Sequence, residues 1–168
     1  MSDTKQRLRQ GALEALRDNG IAGVSARTIA TAAGVNQALV FYHYGSVNEL
    51  LSAACQETTR ARVQAWSADL AAVGSLRELL ALGQRLHAKE RALGHVSVLA
   101  QLLAGAQSDA RLAEPTAHAL GLWTDQIESV LVRTLTGSHF AEVADIPGLA
   151  RAISAAFVGL ELYEGIDE

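Results

Sequence analysis

Apolar residues recur at steps of three and four along almost the whole chain, and no long alternating β-branched run appears. That periodicity predicts an all-α protein. The first stripe is Leu8, Ala12, Ala15 and Leu16, within a helix expected from Thr4 to Asn19, with Gly20 as its stop. Ile21 and Val24 lead into Ser25 and are expected to cover a small three-helix core. Ser25 is a good N-cap for a short helix, Ala26 to Ala33, which puts Ile29, Ala30 and Ala33 on one face. Gly34 takes a positive φ at low cost, as a tight turn between two helices requires. Val35 fills the angle between them. Asn36 caps a second short helix, from about Gln37 to His43, and Val40 packs inward from it.

Ser46-Val47-Asn48-Glu49 is a capping-box pattern that opens a long helix from Val47 to about Val73. Leu50, Leu51 and Ala54 dock it on the first three helices, while Trp66 and Leu70 belong to the body beyond. Gly74 breaks the pattern. Ser75-x-x-Glu78 is a second capping box, for a helix to about Ala92 whose buried side is read as Leu76, Leu79, Leu80 and Leu86. From His95 to Ala106 the chain is apolar nearly all round, through Val96, Val98, Leu99, Leu102 and Leu103, which predicts a central, buried helix. Ser108-Asp109 opens the next segment, and Pro115 fits the first turn of a helix from about Glu114 to Thr136. Gly137 to Asp145 reads as a loop before a last helix, Pro147 to about Glu164.

In those last two helices Ala117, Leu120, Thr124, Ile127 and Leu131, then Leu149, Ile153, Ala156, Leu160 and Tyr163, recur at helical spacing. Ala152, Ala155, Ala156 and Gly159 permit close approach. Such seams suit helix-on-helix packing, either inside one subunit or between two.

The spacing Ala30-x-x-x-Gly34-Val35, with Val40 five residues on, fits a helix-turn-helix. Arg27-x-Ile29-Ala30-x-x-Ala33-Gly34-Val35, Phe41-Tyr42-His43-Tyr44 and Ser46-x-x-Glu49-Leu50 give the first fifty or so residues a specific resemblance to the tetracycline-repressor (TetR) family of bacterial regulators. Beyond them only the layout is similar. The resemblance implies a three-helix DNA-binding head in residues 1–47 and a helical effector-binding and dimerisation body in 48–168. It further implies a homodimeric repressor that binds a palindromic double-stranded operator and is released by a small-molecule effector. Against that family the chain ends abruptly after Tyr163-Glu164-Gly165, which suggests further residues.

Glutamine bonds adenine bidentately, arginine does the same to guanine, and aromatic hydroxyls and helix N-termini suit phosphates. By resemblance Arg27 and Gln37 stand where family members touch bases, and Ala38 and Leu39 where they make apolar contacts. Ser25, Tyr42 and His43 stand near the DNA backbone, and Thr28, Asn36 and Phe41 complete the expected surface. Phe41, Tyr42 and Tyr44 also read as plain packing aromatics. Two departures remove phosphate contacts. Val47 replaces a frequent lysine, and Phe41 replaces a frequent tyrosine; losing a charged contact weakens binding to every sequence and flattens its salt dependence. Lys5, Arg7 and Arg9 suggest touches to flanking phosphates, with plain solvation as the alternative.

The net charge of −4 runs against DNA binding, but residues 1–50 carry five basic and four acidic side chains against nine and fourteen in the rest. Ordinary surface scatter explains those numbers as well. Cys55 is the single cysteine, so no intrachain disulfide forms and a reducing cytoplasm is the natural setting. No apolar stretch reaches a membrane span, and no basic-then-apolar signal peptide opens the chain.

By family analogy the body holds a largely apolar effector among Trp66, Leu70, Leu86, Leu99, Leu102, Leu103 and Trp123, with His87, His95 and His118 as polar accents. The dimer seam implied by the resemblance is Leu120, Ile127, Leu131, Leu149, Ile153, Ala156 and Leu160. The five histidines show no metal-binding pairing, and nucleophile-elbow, phosphate-loop and dinucleotide motifs are absent, so neither enzyme nor cofactor is expected. Two readings stand beside the regulator: a helical small-molecule-binding protein with a weak or vestigial DNA head, and an unrecognised helical enzyme.

Overall fold

Short polar side chains set where the helices begin. In the computed structural model, which describes residues 2–139 and 143–164, Ser25 Oγ accepts the backbone N–H of Thr28 at 3.1 Å. Ser46 Oγ accepts that of Glu49 at 3.1 Å, and Ser75 Oγ that of Glu78 at 3.3 Å. Glu78 reaches back to the N–H of Gly74, one residue before the cap, and not to that of Ser75, so the second predicted box is formed on one side only. The helices are α1 (Ser2–Gly23), α2 (Ala26–Ala33), α3 (Ala38–Tyr44), α4 (Val47–Ala72), α5 (Leu76–Ala92), α6 (His95–Ser108), α7 (Ala110–Leu135) and α8 (Ile146–Glu164). Helix makes up 88% of the described residues, which contain no strand, so the protein is all-α, with an N-terminal helix-turn-helix head and a helical body.

The chain forms two compact units. One is Met1–Thr59 with Ser97–Ala119; the other is Arg60–Val96 with Leu120–Glu168. In the first, Leu8, Ala12, Ala15 and Leu16 of α1 meet Ile29 and Ala33 of α2, Val40 of α3, and Leu50, Leu51 and Ala54 of α4. That is the predicted head core. Leu102 of α6 and Leu112 and Ala119 of α7 join it. Gly20 interrupts α1 at φ 64, so the helix proper stops where expected, and Ile21–Gly23 is a further turn. In the second unit Leu70, Val73, Leu82 and Val130 pack with Trp66, Leu79 and Trp123. Leu131, Leu135 and Ala150 form a neighbouring cluster there.

Several expectations are corrected. Leu76 and Leu80 are 47% and 67% exposed, whereas Leu82, Leu86 and Glu90 are the buried positions of α5. Leucines occupy most faces of this helix, so periodicity alone does not select the inner one. The helix α6 is mostly half-buried rather than central; Leu102 is its deepest leucine among the described side chains, while that of Val96 lies outside the description. The helix α7 begins at Ala110 and carries Pro115 inside it. Asp109 makes this earlier start by accepting the N–H of Arg111 at 2.9 Å on its side chain and that of Leu112 on its backbone. The Arg111 guanidinium and backbone N–H in turn hold the Asp109 carboxyl below the usual carboxylate range. The segment 137–145, read as a loop, has helical residues at His139 and Val143 and otherwise falls partly outside the described residues.

Candidate nucleic-acid interface

The turn between α2 and α3 is built from Gly34. Its φ of 63 and ψ of 39 are left-handed, and Val35 N–H returns to Ala30 O at 3.0 Å. The reversal satisfies carbonyls at the end of α2 and sends the chain directly into α3. Asn36 Oδ1 then accepts the N–H of Ala38 at 2.8 Å, while Gln37, the residue just before α3, makes no side-chain cap bond. The capping is therefore done by Asn36, as expected, although the helix starts one residue later. Ser25 and Thr28 form a reciprocal capping box for α2, with Ser25 N–H donating to Thr28 Oγ1 at 2.8 Å.

Two faces of this motif are clearly separated. Ile29, Ala30, Ala33 and Val40 are buried. On the open side lie Ser25, Arg27, Asn36, Gln37 and Ala38, with Phe41 at 53% and Tyr42 at 74% exposure. Neither aromatic belongs to the head core or packs against it. Leu39 and Thr28 are half-buried, and Leu39 packs against the head core. His43 is half-buried and meets the Tyr42 ring edge-on, centroids 4.9 Å apart. Tyr44 is a packing aromatic whose hydroxyl is also bonded. Val47, at the departure from the family pattern, packs against the head core.

Residues 8–54 match the family described as bacterial regulatory proteins, tetR family. An uncharacterised HTH-type transcriptional regulator of Mycobacterium tuberculosis is 23% identical over 164 residues, covering 98% of this chain and 84% of its own length. Residues 8–54 are thus a TetR-family DNA-binding domain. Solved structures of transcriptional regulators have the same fold. A TetR-family regulator from Rhodococcus superposes with a TM-score of 0.79 at 22% identity, covering 96% of this chain and 86% of the other. FadR from Bacillus subtilis, in complex with stearoyl-CoA, gives 0.84 at 16% identity, covering 96% and 87%. The matched region is thus a DNA-binding one, of a family of regulators rather than enzymes. Among the described residues no helix is long and apolar enough to cross a membrane.

The body residues divide. Trp66, Leu70 and Trp123 share one apolar cluster of the second unit. Beside them, buried Glu90 receives Arg62 at 2.6 Å and His95 Nδ1 at 2.7 Å on one carboxylate oxygen. Arg62 also lies over the Trp123 ring, and Lys89 over that of Trp66. Leu86 is buried, and His87 meets Phe157 edge-on. Leu99, Leu102, Leu103 and His118 instead belong to the first unit, where Leu102 is head core and His118 is exposed. The ten residues are therefore not gathered in one unit. Nothing in the helical spacing of the sequence signals the Arg62–Glu90–His95 cluster, since the three lie on separate helices.

The seam residues divide as well. Leu131 is fully buried inside its own subunit, with Ile127, Leu149 and Ile153 packed against its cluster. Leu131 is out of reach of a second chain, which corrects its place in the seam. Leu120 is half-buried, and Ala156 and Leu160 are exposed. Apolar spacing marks a covered face without saying what covers it. The open face of α8 is a different stripe: Ala152, Ala155, Ala156, Gly159, Leu160 and Tyr163 are all exposed, at steps of three, one, three, one and three.

Proposed function

We propose that this protein is a cytoplasmic homodimeric repressor that reads a palindromic operator with two copies of α3 and releases it on binding a largely apolar small molecule. The observation that carries the reading is the open side of the helix-turn-helix. Gln37, Ala38, Phe41 and Tyr42 project from one side of α3 with Arg27 exposed on α2, although nothing in the chain's own packing requires them there. Gln37 and Arg27 are the base-reading residues, Ala38 and Leu39 the apolar contacts, and Ser25, Thr28, Asn36, Phe41, Tyr42 and His43 the surface along the backbone. The DNA-reading residues all precede residue 48, and the effector and dimer functions lie in 48–168.

The exposed stripe of α8 supports the dimer. An apolar row on a helix is stable in water when a second helix covers it, and a palindrome needs two reading helices about one duplex turn apart. The cluster around Trp66, Leu70 and Trp123 supports an effector site in the second unit. Stearoyl-CoA on the Bacillus subtilis relative is consistent with a ligand that is largely apolar.

Selection of bound duplexes from a random pool at physiological salt tests this. Enrichment of a palindrome with two half-sites is expected. A folded dimer that enriches no sequence would overturn the operator reading.

A further inference from the structure

The helix α3 is only seven residues long, two turns, and Val40 is its one fully buried side chain. So short a helix does not hold its own direction; its ends must be fastened. Both fastenings come from the start of α1. Arg7 Nη2 donates to Ala33 O at 2.8 Å and to Gly34 O at 2.7 Å. These carbonyls close α2, where no helical N–H is left to bond them and the helix dipole leaves negative charge. The contact is close: a Cβ at Gly34 would stand 3.0 Å from the same nitrogen. At the far end of α3 the Tyr44 hydroxyl donates to Lys5 O at 3.1 Å and accepts from Arg9 Nη1 at 3.0 Å. Arg9 is itself anchored on Glu57 of α4, Nη2 to Oε1 at 3.1 Å.

We propose that Arg7 and Tyr44 are positioning residues for DNA reading. Arg7 fixes the chain as it enters α3, Tyr44 fixes it as it leaves, and Arg7 and Arg9 act on DNA through the attitude of α3 rather than by touching phosphates. This rests on the reading that α3 contacts bases. It differs from a phosphate role in what it predicts. A phosphate contact strengthens binding to every duplex alike and adds about 0.9 to the salt slope. A positioning contact affects the duplex whose bases must be met in register.

The test uses the full chain with Arg7→Ala, Arg7→Lys and Tyr44→Phe, each kept below its unfolding temperature. Affinities are measured for the selected operator and for a scrambled duplex over a range of salt. Arg7→Ala and Tyr44→Phe are expected to weaken operator binding about tenfold, leaving scrambled DNA within about twofold and the salt slope unchanged. Arg7→Lys, whose ammonium also has donors for two carbonyls, should recover part of the loss. Equal losses on both duplexes with a flatter salt slope would overturn the proposal, as would unaltered operator binding. Amide exchange of the DNA-free protein gives an independent reading. Val35 N–H should lose protection in Arg7→Ala and Gly45 N–H in Tyr44→Phe, while Leu50 keeps its own. Unchanged protection overturns the proposal whatever the duplexes show. Should the parent protein select no duplex while these protection losses occur, the operator reading fails and the fastening of α3 stands.

Discussion

Gln101 on α6 accepts the backbone N–H of Ile21 at 2.8 Å, one residue after Gly20 breaks α1. The break frees an amide that α1 can no longer satisfy internally, and a side chain eighty residues away takes it. This bond ties the end of α1 to α6 within the first compact unit.

Gln101→Ala should therefore strand a partly buried amide and lower stability by about 1–3 kcal/mol. Gln101→Glu, which keeps the acceptor, should lose less. Urea denaturation of the three proteins measures both, and coincident midpoints would show that the bond contributes nothing.

The head was legible in the sequence because its signals are local. Ser25, Gly34 and Asn36 each act within a few residues, and Ile29 and Val40 have one apolar face to choose. The clasp of Arg7 on Ala33 and Gly34 was not legible, since it joins residues 26 and 27 positions apart and arginine at a chain start reads as solvated. The body failed differently. In α5 leucines at 76, 79, 80, 82 and 86 surround the helix, so only tertiary packing picks out Leu82 and Leu86. In α8 the helix has two apolar faces, and the sequence stripe mixed the inner residues Leu149 and Ile153 with the outer Ala156 and Leu160.

The proposed base reading by Gln37 contrasts with the proposed backbone contact of Tyr42. Gln37→Ala should change which bases are enriched in a duplex selection, at about 1–3 kcal/mol of lost discrimination. Tyr42→Phe should weaken all duplexes alike with the preference intact. A preserved preference in Gln37→Ala would remove that residue from the base-reading set.

Val47 packs on the head core at the point where the TetR resemblance implies a lysine. Val47→Lys should steepen the salt dependence of DNA binding by about 0.9 in log–log slope, one added phosphate contact. Some loss of head stability should accompany it, because the valine's apolar contacts go. Titration at four or five salt concentrations reads the slope directly; an unchanged slope would place this position away from the DNA backbone.

Glu90 is 3% exposed and carries both Arg62 and His95 on one oxygen. Glu90→Ala should destabilise the second unit by about 3–5 kcal/mol, because Arg62 is left as an uncompensated, largely buried charge. Replacing Glu90 and Arg62 together with apolar residues of similar size should cost much less. Calorimetry on the single and double variants compares the two, and equal losses would argue against the charge explanation.

Gly159 lies on the open stripe of α8, and a Cβ there would meet nothing within 4 Å in its own chain. Gly159→Arg should leave the fold of the single subunit intact by circular dichroism and yet give a monomer in sedimentation. A variant that stays dimeric would move the interface off this stripe.

The unit that holds α3 is made from two separated stretches of chain, 1–59 and 97–119. Its core includes Leu102 and Leu112 as well as Leu8 and Leu50. The head is therefore not a cassette that one cut can detach. A hybrid regulator joined at residue 59 would pair a foreign core with these leucines, or leave them with none. New operator specificity is better grafted by exchanging the exposed residues of α2 and α3 in place, or by transferring both stretches together.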